Sequence, residues 1–339
     1  MKLIISPKDT LNFGRGKPST KGEDSFLAEM FPPYPSVLLG AFRGSYLSLN
    51  PDAIAKANKP ADPTRNFSIM HYSLLLDNEP HFPAPADYVW QDDIAIAMKL
   101  VKNDGLSSLN LPYCLHVNHS GKIREAGGKW ISIKALNAYL SNKHETMDSK
   151  NLSDFCERET HVGISRNIQT RTAQEHMLYN VTMTRAQNLK FAIELDTKSE
   201  TINDKGLLRL GSHNKTAKYE AVNFDSKITG QVGKIFKLYL ATPAIFKQGW
   251  KPDIEERYGI ELVAAAVSGY ECIGGYDIKA NKPKPMRRAV KAGSVYYYKL
   301  QDDRHKSLII ENLHGVSISE ERANEGFGLS YIGKWEGEY

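Results

Sequence analysis

The sequence predicts an α+β fold built from two ferredoxin-like units, the first of them enlarged by insertions. Three observations support this prediction. The chain has 339 residues, which suits about two domains of ordinary size. Its apolar content of 41% is that of a globular protein. Short strands alternate with short helices near both ends of the chain. We assign the N-terminal unit, with its insertions, to residues 1–225 and the C-terminal unit to residues 226–339; a single larger α+β domain is the alternative.

The N-terminal half begins with a strand, a helix and a second strand. Residues 3–5 are apolar and are closed by Pro7, which predicts a short buried strand. Ser36 is a favoured N-cap, and the apolar residues up to Leu47 fall on one helical face, which predicts a helix. Alternating apolar residues at 67–76 predict the second strand. The remaining predictions here are a polar mobile loop or insertion at 141–154, strands at 177–183 and 189–195, and a hairpin at 207–222.

The C-terminal third has a clearer pattern. Apolar runs separated by turn residues predict four strands and one short helix. The strands are predicted at 235–240, 260–267, 295–300 and 327–335, and the helix at 307–313.

Charge permits nucleic-acid binding without requiring it. The formal net charge is +5, and its distribution along the chain is uneven. Six basic residues and no acidic one lie between Lys279 and Lys291, directly before three consecutive tyrosines. A solvated loop and an edge that faces a polyanion both fit this run.

The cysteine pattern and the N-terminus bear on location. The three cysteines are far apart and in no paired spacing, which favours a reducing compartment and argues against a zinc module. The apolar run at the start is too short for a signal peptide, and no segment approaches the length of a membrane span. We therefore expect a soluble cytoplasmic protein that has no membrane partner and uses no cofactor.

No segment carries a recognisable catalytic motif. The loop Gly14–Lys17 lies between a strand and a helix, yet Leu11 and Pro18 occupy the positions where a phosphate-binding loop needs Gly and Ser or Thr. His116 and His119 have no cysteine pair or acidic helix beside them, which argues against a metal site.

Three histidines are candidates for a general base in RNA cleavage. Such a base must lie beside a 2′-hydroxyl and act with a second group that stabilises the phosphorane. His71, His161 and His176 show no spacing that indicates a pair. Structural or solvent-exposed histidines are the alternative interpretation.

Residues 159–179 have a composition that suits RNA. Arg166 and Arg171 stand among Ser, Asn, Gln and Thr, whose side chains bond phosphates, 2′-hydroxyls and base edges. Ile164, Ile168 and Met177 add apolar side chains that could wedge against bases. A polar surface loop before a strand is the alternative.

The end of the chain contains closely spaced glycines in Gly326-Phe327-Gly328. Glycine lets the backbone approach a bulky anion and adopt positive φ. A tight turn into a last buried strand needs the same residues and is favoured if nothing else supports a phosphate contact.

An ordered set of short segments resembles one protein family nearly from end to end. The chain resembles the RAMP-superfamily subunit of type III-B (Cmr) CRISPR effector complexes that caps the 5′ end of the guide RNA. The segments that carry the resemblance are residues 5–16, 35–43, 82–87, 163–166, 178–179, 240–244, 249–252, 274–277, 292–297 and 326–328.

The resemblance implies two ferredoxin-like (RRM-like) folds of the RAMP type, no nuclease activity, and recognition of the repeat-derived 5′ handle of crRNA. It also implies contact with the large cyclase-bearing, polymerase-like subunit and with a backbone RAMP subunit of the filament. By the same resemblance, Arg43 is the helix arginine near the handle and residues 326–328 are the glycine-rich loop. Residues 163–179 become a thumb-like hairpin near the junction of handle and spacer.

These observations favour a non-catalytic RNA-binding subunit. The alternatives are a metal-free guide-processing endoribonuclease on the same fold and the equivalent subunit of a type III-A or III-D complex. The predicted RNA-binding residues are Arg15, Lys17, Arg43, Gly163, Ile164, Arg166, Asn167, Gln169, Arg171, Arg287, Arg288, Gly326, Phe327 and Gly328.

Overall fold

The structure is a computed structural model that describes residues 1–14, 26–27, 30–105, 109–143, 147–277 and 282–337. Its strands are β1 (Lys2–Pro7), β2 (Phe26–Leu27), β3 (Ser68–Leu76), β4 (Glu79–Pro83), β5 (Tyr88–Gln91), β6 (Ile94–Ala97), β7 (Lys99–Lys102), β8 (Tyr113–His116), β9 (Arg124–Glu125), β10 (Lys129–Ser132), β11 (Ser149–Asn151), β12 (Cys156–Arg166), β13 (Ala173–Ala186), β14 (Leu189–Asp196), β15 (Lys205–Arg209), β16 (Thr216–Ala221), β17 (Ile235–Leu240), β18 (Ile260–Ala266), β19 (Tyr270–Ile273), β20 (Tyr276–Asp277), β21 (Lys282–Pro283), β22 (Arg287–Val290), β23 (Val295–Leu300), β24 (Val316–Ser317) and β25 (Leu329–Trp335). Its α-helices are α1 (Pro35–Leu49), α2 (Pro51–Ile54), α3 (Ile133–Leu140), α4 (Glu255–Tyr258) and α5 (Lys306–Leu313), with 3-10 turns at Pro63–Asn66, Leu152–Phe155, Asp303–His305 and Ala323–Glu325.

The first large sheet has the strand order β11-β10-β4-β3-β14-β1-β16-β15, and all its neighbouring strands are antiparallel. In β1, Leu3 and Ile5 point into the core, while the residues between them are only partly buried. This period of two is what a sheet with one covered face requires. The predicted first strand is therefore confirmed, and β1 lies between the later strands β14 and β16.

Helix α1 covers one face of this sheet and begins two residues earlier than predicted, since its N-cap is Tyr34 and not Ser36. Pro35 occupies the first helical turn, Tyr34 precedes it in an extended conformation, and no side chain caps the helix. The predicted N-cap at Ser36 is wrong, because the fixed φ of proline already suits the first helical position. Phe42 is fully buried, and its ring packs edge-on against Tyr219 with 5.1 Å between centroids.

The hairpin predicted at 207–222 is confirmed as β15 and β16. It follows β14 at the point in the chain where a β-α-β-β-α-β unit would have its second helix. Residues 197–204, which link β14 to this hairpin, contain no helix. The first sheet therefore lacks the second helix that a complete β-α-β-β-α-β unit would have.

The second large sheet has the strand order β18-β23-β17-β25-β24 and is also antiparallel. Its strands and the helices between them follow in the chain as β17, α4, β18, β23, α5, β24 and β25. The predicted strand at 235–240 matches β17 residue for residue, and the predicted helix at 307–313 is α5 with one extra residue. The three consecutive tyrosines Tyr296–Tyr298 lie in β23 and are all buried.

The two sheets share part of one hydrophobic core. Phe82 and Tyr139 from the N-terminal half pack in the same cluster as Tyr239 and Tyr331 from the second sheet. The predicted boundary between residues 225 and 226 stays a prediction, because apolar contacts extend across it.

A buried charged group lies inside this shared core. The Tyr139 and Tyr297 hydroxyls donate to Oδ2 of Asp87 at 2.8 and 2.5 Å, and Lys237 Nζ lies 3.7 Å from the same oxygen. Lys237 Nζ also lies 3.9 Å from the centroid of the Tyr139 ring. Burial lowers the pKa of Lys237, and the charge of Asp87 acts against that shift. Oδ1 of Asp87 has no partner among the described residues.

Two features differ from the sequence-based expectation in the middle of the chain. Helix α3 was not predicted; it begins after Ser132, whose hydroxyl accepts from the amide of Ala135 at 3.2 Å as an N-cap. The tract 141–154 was predicted as a mobile loop or insertion, yet it contains β11, which pairs with β10 at the edge of the first sheet. Residues 144–146 of that tract lie outside the described part of the chain.

Candidate nucleic-acid interface

A long β-hairpin, formed by β12 and β13, carries most of the residues predicted between 159 and 179. Its strands pair from Cys156 opposite Ala186 to Arg166 opposite Ala173, with a register shift between Ile164 and Arg166. Both faces of β12 are largely exposed along its length. We call this hairpin the arm. Because a two-stranded ribbon gains little from burial of its own surface, it needs an anchor at its base.

The base of the arm is fixed to the segment that follows β1. The backbones of Leu11 and Thr184 exchange two hydrogen bonds of 2.8 and 2.7 Å. The Asn12 side-chain amide donates to the Thr182 carbonyl at 2.7 Å, and Val181 is buried. Strand β2 adds a short parallel pairing to β13. The arm therefore has a defined direction relative to the first sheet.

The tip of the arm is organised by Asn167. Its amide donates to the carbonyl of Thr172 at 2.9 Å, and its carbonyl accepts from the amide of Arg171 at 2.8 Å. Its side-chain oxygen accepts from the amides of Gln169 and Thr170 at 2.9 and 3.2 Å. Asn167 thus shapes the turn, which is the usual role of Asn at such positions. Gln169 is exposed at the turn.

One face of the arm is apolar and exposed. Ile164 lies directly opposite Leu178, and Val162 lies two residues before Ile164 on the same face. Ile168 at the tip has 94% of its surface exposed. Large aliphatic side chains in such positions are suited to contact with an apolar surface such as the face of a base.

Gly163 lies on the other face of the arm, under the ring of Tyr179. The ring of Tyr179, which lies opposite it, covers the glycine so closely that a Cβ there would lie 2.3 Å from a ring carbon. The structure therefore gives Gly163 a packing role, and its contact with RNA stays a prediction.

The charges of the arm divide into paired and unpaired groups. Near its base, Glu159 accepts from Arg185 and lies 3.4 Å from His161 Nε2. The hydrogen bond from Arg185 lowers the pKa of Glu159, and the contact with His161 adds to this. Arg166 and Arg171 near the tip are exposed and make no ion pair within the part of the chain that the structure describes. The tip therefore presents positive charge.

Arg43 is held in an ion pair. It lies on α1, where its Nη2 is 3.0 Å from Oδ2 of Asp62 and its Nε donates to the Thr64 hydroxyl at 3.0 Å. Asp62 is almost fully buried, whereas about a third of the Arg43 side chain remains exposed. Arg43 therefore holds the 3-10 turn that follows Asp62 against α1. Its contact with RNA stays a prediction.

The glycine loop near the C-terminus is buried. Gly326 and Gly328 have φ of 87° and 75°, and a Cβ on Gly328 would lie 2.4 Å from the amide nitrogen of Ser319. The Gly328 amide donates to the Pro243 carbonyl at 2.7 Å, and the Phe327 ring packs against Tyr34 with 5.7 Å between centroids. These contacts favour the tight-turn interpretation, and a contact between this loop and RNA stays a prediction.

The basic segment near residue 285 forms an exposed hairpin of β19 and β22. Arg287 donates to Glu321 at 2.8 Å, and the Arg288 guanidinium lies 4.9 Å from the centroid of the Tyr270 ring. Lys284 lies 3.8 Å from Glu325. The carboxylates of Glu321 and Glu325 therefore offset part of the positive charge of this segment. Arg15, Lys17 and Lys279 lie outside the described residues.

The histidines considered as general bases differ in their surroundings. His71 is buried in the core, where its Nε2 is 3.0 Å from the Ser73 hydroxyl and its Nδ1 is 3.3 Å from the Tyr331 hydroxyl. Burial, and then the charge of Lys2, lowers the pKa of His71 to about 4. This position does not fit a base that touches RNA. His161 is exposed beside Glu159, and the side chain of His176 lies outside the described part of the chain.

The two histidines considered as metal ligands lie in different settings. His116 ends β8, and His119 lies beyond that strand, where its Nδ1 accepts from the Gly121 amide at 2.9 Å. No cluster of three or more His, Cys, Asp or Glu side chains suited to a metal was found among them. None of their helices has the length and apolar character needed to cross a bilayer.

Sequence reasoning missed parts of this surface. Val162 and Leu178 contribute to the apolar face of the arm, yet Ile164, Ile168 and Met177 were the apolar residues singled out. Apolar residues at Val162 and Ile164, followed by a polar turn and a second run of strand-forming residues from Leu178, are the signal that could have revealed a two-stranded ribbon. The interaction between Arg43 and Asp62 left no local pattern, since the two residues meet only through the fold.

Comparisons with known proteins agree with this architecture. A chain in the cryo-EM structure of the type III-B Cmr-beta complex bound to cognate target RNA and AMPPnP is 17% identical, with a TM-score of 0.53 over 88% of this chain and 86% of that chain. The same complex bound to cognate target RNA gives 18% identity, a TM-score of 0.49 and the same coverages. A chain of the Csm3–Csm4 subcomplex of a type III-A CRISPR-Cas interference complex gives 12% identity and a TM-score of 0.36, over 87% of this chain and 92% of that chain. Only the first of these scores exceeds 0.5, and at its identity it shows a shared fold.

No curated protein matches the sequence significantly. The family described as CRISPR-associated protein (Cas_Cmr3) matches residues 3–335, which is almost the whole chain. The chain therefore belongs to the Cas_Cmr3 family of CRISPR-associated proteins.

Proposed function

We propose that this chain is a non-catalytic, RNA-binding subunit of a type III-B CRISPR effector complex that holds the repeat-derived 5′ handle of crRNA. The observation that carries the proposal is the arm, a defined hairpin with an exposed apolar face and with cations at its tip that make no ion pair among the described residues. Membership of the Cas_Cmr3 family supports the type of complex.

The tip of the arm has the chemistry needed to bind single-stranded RNA. The exposed side chains of Arg166 and Arg171 can pair with phosphates, and Ile168 can lie against an unstacked base. Because the base of the arm is hydrogen-bonded to residues 11–12, the tip is presented in a fixed direction. A tip that carries cations and an apolar side chain in a fixed direction suits a protein that holds RNA and does not cut it.

We further propose that both sheets are ferredoxin-like units of the RAMP type. The second sheet has the spatial order β18-β23-β17-β25 and the chain order β-α-β-β-α-β. The first sheet repeats this spatial order in β3-β14-β1-β16, with β15 in place of its second helix. The shared order supports a duplicated unit.

The same proposal includes two protein partners, the large cyclase-bearing subunit and a backbone subunit of the filament. Large exposed aliphatic side chains on an otherwise polar arm need an apolar neighbour in an assembled particle. A backbone subunit that meets the guide where the handle ends would supply such a neighbour.

Co-expression with the neighbouring genes, followed by sequencing of the co-purified RNA, tests the proposal. We expect guide RNAs with a common repeat-derived 5′ end, and crosslinks from that end to this chain. A particle whose handle crosslinks only to other subunits would contradict the proposal. Incubation of the purified chain with repeat RNA in EDTA tests the non-catalytic part, since specific cleavage would show an endoribonuclease.

A further inference from the structure

A large cleft opens between the two sheets, on the side where β18 is an edge strand. Its volume is about 940 Å³, and its lining is mostly apolar. Its walls include residues 30–35 before α1, residues 113–116 in β8 and residues 265–268 at the end of β18. Among the strands that the structure describes, β18 pairs with β23 alone, so its other edge has no strand partner there.

The direction of the peptide groups in β23 decides which groups of β18 point into the cleft. In an antiparallel sheet, the amide and carbonyl of one residue point to the same neighbouring strand, and this direction alternates along the strand. The Leu300 amide donates to the Lys234 carbonyl at 2.9 Å, on the β17 side. Tyr297 and Val295, which lie three and five residues before Leu300, therefore turn toward β18.

Two peptide groups at the end of β18 are left open by this arrangement. The residues opposite Tyr297 and Val295 are Ala264 and Ala266, whose peptide groups turn toward β23. The peptide groups of Ala265 and of the following residue 267 then point away from β23, into the cleft that both residues line. They make no hydrogen bond on this side within the part of the chain that the structure describes.

Farther back along the same edge, a side chain takes the place of a strand partner. The Leu262 amide also points away from β23, and Glu255 Oε1 accepts from it at 2.8 Å. Glu255 belongs to α4, which lies beside this part of β18. Beside the cleft, none of the described residues supplies such a group to Ala265.

An extended backbone is the partner that such an edge fits. It offers carbonyls and amides at the spacing of the strand, and open sheet edges bind peptides in this way. A helix does not match, because its peptide groups bond within the helix. RNA does not match either, because its backbone carries a negative charge at each linkage and no amide.

The walls of the cleft suit apolar side chains. Tyr34, Tyr88 and Tyr113 line it and are each half-buried. Successive side chains of an extended segment point to opposite sides. A segment paired with β18 would therefore bring every second side chain toward these walls, where an apolar side chain gains from burial.

The walls are held in place by hydrogen bonds that span the sequence. The Tyr72 hydroxyl donates to the Pro33 carbonyl at 2.8 Å, and the Tyr34 hydroxyl donates to Glu271 Oε2 at 2.9 Å. The second bond joins the segment before α1 to β19 of the second half. The cleft is thus a preformed feature of the folded chain.

The charges around the cleft favour a segment without net charge. Lys129 is paired with Asp93 at 2.9 Å, and Glu271 accepts the hydrogen bond described above. Of the other charged side chains in the lining, Glu125 and Lys291 are exposed and opposite in sign. A polyanion needs an excess of cations, which the described lining does not have. An uncharged segment is complementary to it.

We propose that this cleft binds an extended, uncharged segment of another subunit, which adds a strand to β18 and places apolar side chains at every second residue against the tyrosines. The inference rests on the part of the proposed function that places the chain in a complex, and no RNA takes part in it. The segment accepts from the amides of Ala265 and Val267 and donates to their carbonyls, as in other cases of strand addition.

The test uses the full-length chain and an array of overlapping ten-residue peptides that cover the proteins encoded by the neighbouring genes. Fluorescence anisotropy then measures the affinity of the peptides that bind. N-methylation of a peptide amide removes its hydrogen-bond donor. We expect methylation of one alternating set of residues to weaken binding at least tenfold and methylation of the other set to have little effect, since only one set turns toward β18.

Ala265→Pro removes the corresponding donor from the chain. Its ring also obstructs the edge, while the pairing with β23 needs no amide from residue 265. We expect at least a tenfold loss of peptide affinity. Leu207→Pro is the matched control, because Leu207 is exposed on the edge strand β15 and its peptide group points away from β16. Melting curves show whether both variants fold, and the methylation series on the wild-type chain is decisive if Ala265→Pro does not fold.

Three results would overturn the inference. They are an array without a binder, binding that both alternating sets weaken equally, and binding that Ala265→Pro leaves unchanged in a folded protein. Self-association of the wild-type chain that Ala265→Pro abolishes would assign the edge to a second copy and would also overturn it. None of these results bears on the proposed RNA role, which crosslinking of the handle tests separately. A chain that does not co-purify with other subunits would overturn both.

Discussion

Arg43 and Asp62 form an ion pair that closes the loop after α1, with 3.0 Å between Nη2 and Oδ2. Burial alone would raise the pKa of Asp62, but hydrogen bonds from Thr64 and the Asn58 amide, together with the charge of Arg43, leave it below the usual value. The carboxylate therefore stays charged in the folded protein, and it depends on these donors. This relationship makes Arg43 a stability determinant, whatever its contact with RNA.

We expect Arg43→Ala to lower the free energy of unfolding by about 1–3 kcal/mol, since it leaves a buried carboxylate without its cation and the exposed part of Arg43 reduces the effect. Urea unfolding measures the change. Arg65→Ala, at an exposed position in the adjacent 3-10 turn, is the control and should change stability little. An Arg43→Ala protein of unchanged stability that no longer binds RNA would show instead that Arg43 acts on the RNA.

His71 should make the protein less stable below neutral pH. Its pKa is about 6.5 in an unfolded chain and about 4 in the fold. The unfolded state therefore binds the proton first, so the stabilisation is complete above pH 6.5 and falls as the pH drops toward 4. At roughly 1.4 kcal/mol for each pKa unit, the loss is on the order of 3 kcal/mol.

Urea unfolding at a series of pH values between 4.5 and 7.5 measures this slope. His71→Leu should flatten it, because the variant has no group to protonate at that place. His116→Leu, at an exposed position at the end of β8, is the control and should leave the slope unchanged. Equal slopes in wild type and His71→Leu would assign the acid sensitivity to other groups.

The tip of the arm should affect RNA binding and not stability. Arg166→Ala and Arg171→Ala each remove an exposed cation, and we expect weaker handle binding with unchanged unfolding curves. If each arginine neutralises one phosphate, the slope of log affinity against log salt should become smaller by about 0.7 in each variant. Lys299→Ala, an exposed cation in β23, is the control. A salt slope that does not change in either arm variant would mean that these arginines contact something other than phosphate.

Gly328 and Gly249 allow the cost of backbone strain and the cost of steric crowding to be measured separately. Gly328→Ala combines a positive φ with a Cβ 2.4 Å from the Ser319 amide nitrogen, so we expect a loss of roughly 2–5 kcal/mol. Gly249→Ala has a similar φ of 84° but no atom within 4 Å, so about 1 kcal/mol is expected. Thermal or urea unfolding compares them. Equal losses would show that the buried turn can move, and would weaken the packing role assigned to residue 328.

Much of the fold was predictable where apolar or alternating runs are bounded by turn residues. The strand β17 was predicted residue for residue because its apolar run is bounded by a polar segment and by Thr242-Pro243. The hairpin of β15 and β16 was predicted from turn residues between two alternating runs. In contrast, Pro35 and not a side-chain cap starts α1, since a fixed φ can take the place of a capping hydrogen bond.

The candidate site was predictable only in part. The composition of residues 159–179 indicated RNA contact, and the tip of the arm does expose two arginines. The hydrogen bond from Tyr34 to Glu271 was not predictable, because the two residues come from distant parts of the chain. For the same reason, no local pattern near Asp87 in the sequence predicts that Lys237 lies beside it.

The buried pair of Asp87 and Lys237 has a mechanical consequence for the whole chain. Sliding one sheet past the other would separate two charges inside an apolar interior, at a cost of several kcal/mol. The two sheets should therefore move together as one rigid unit. A neighbour bound to the second sheet would then also fix the direction in which the arm extends.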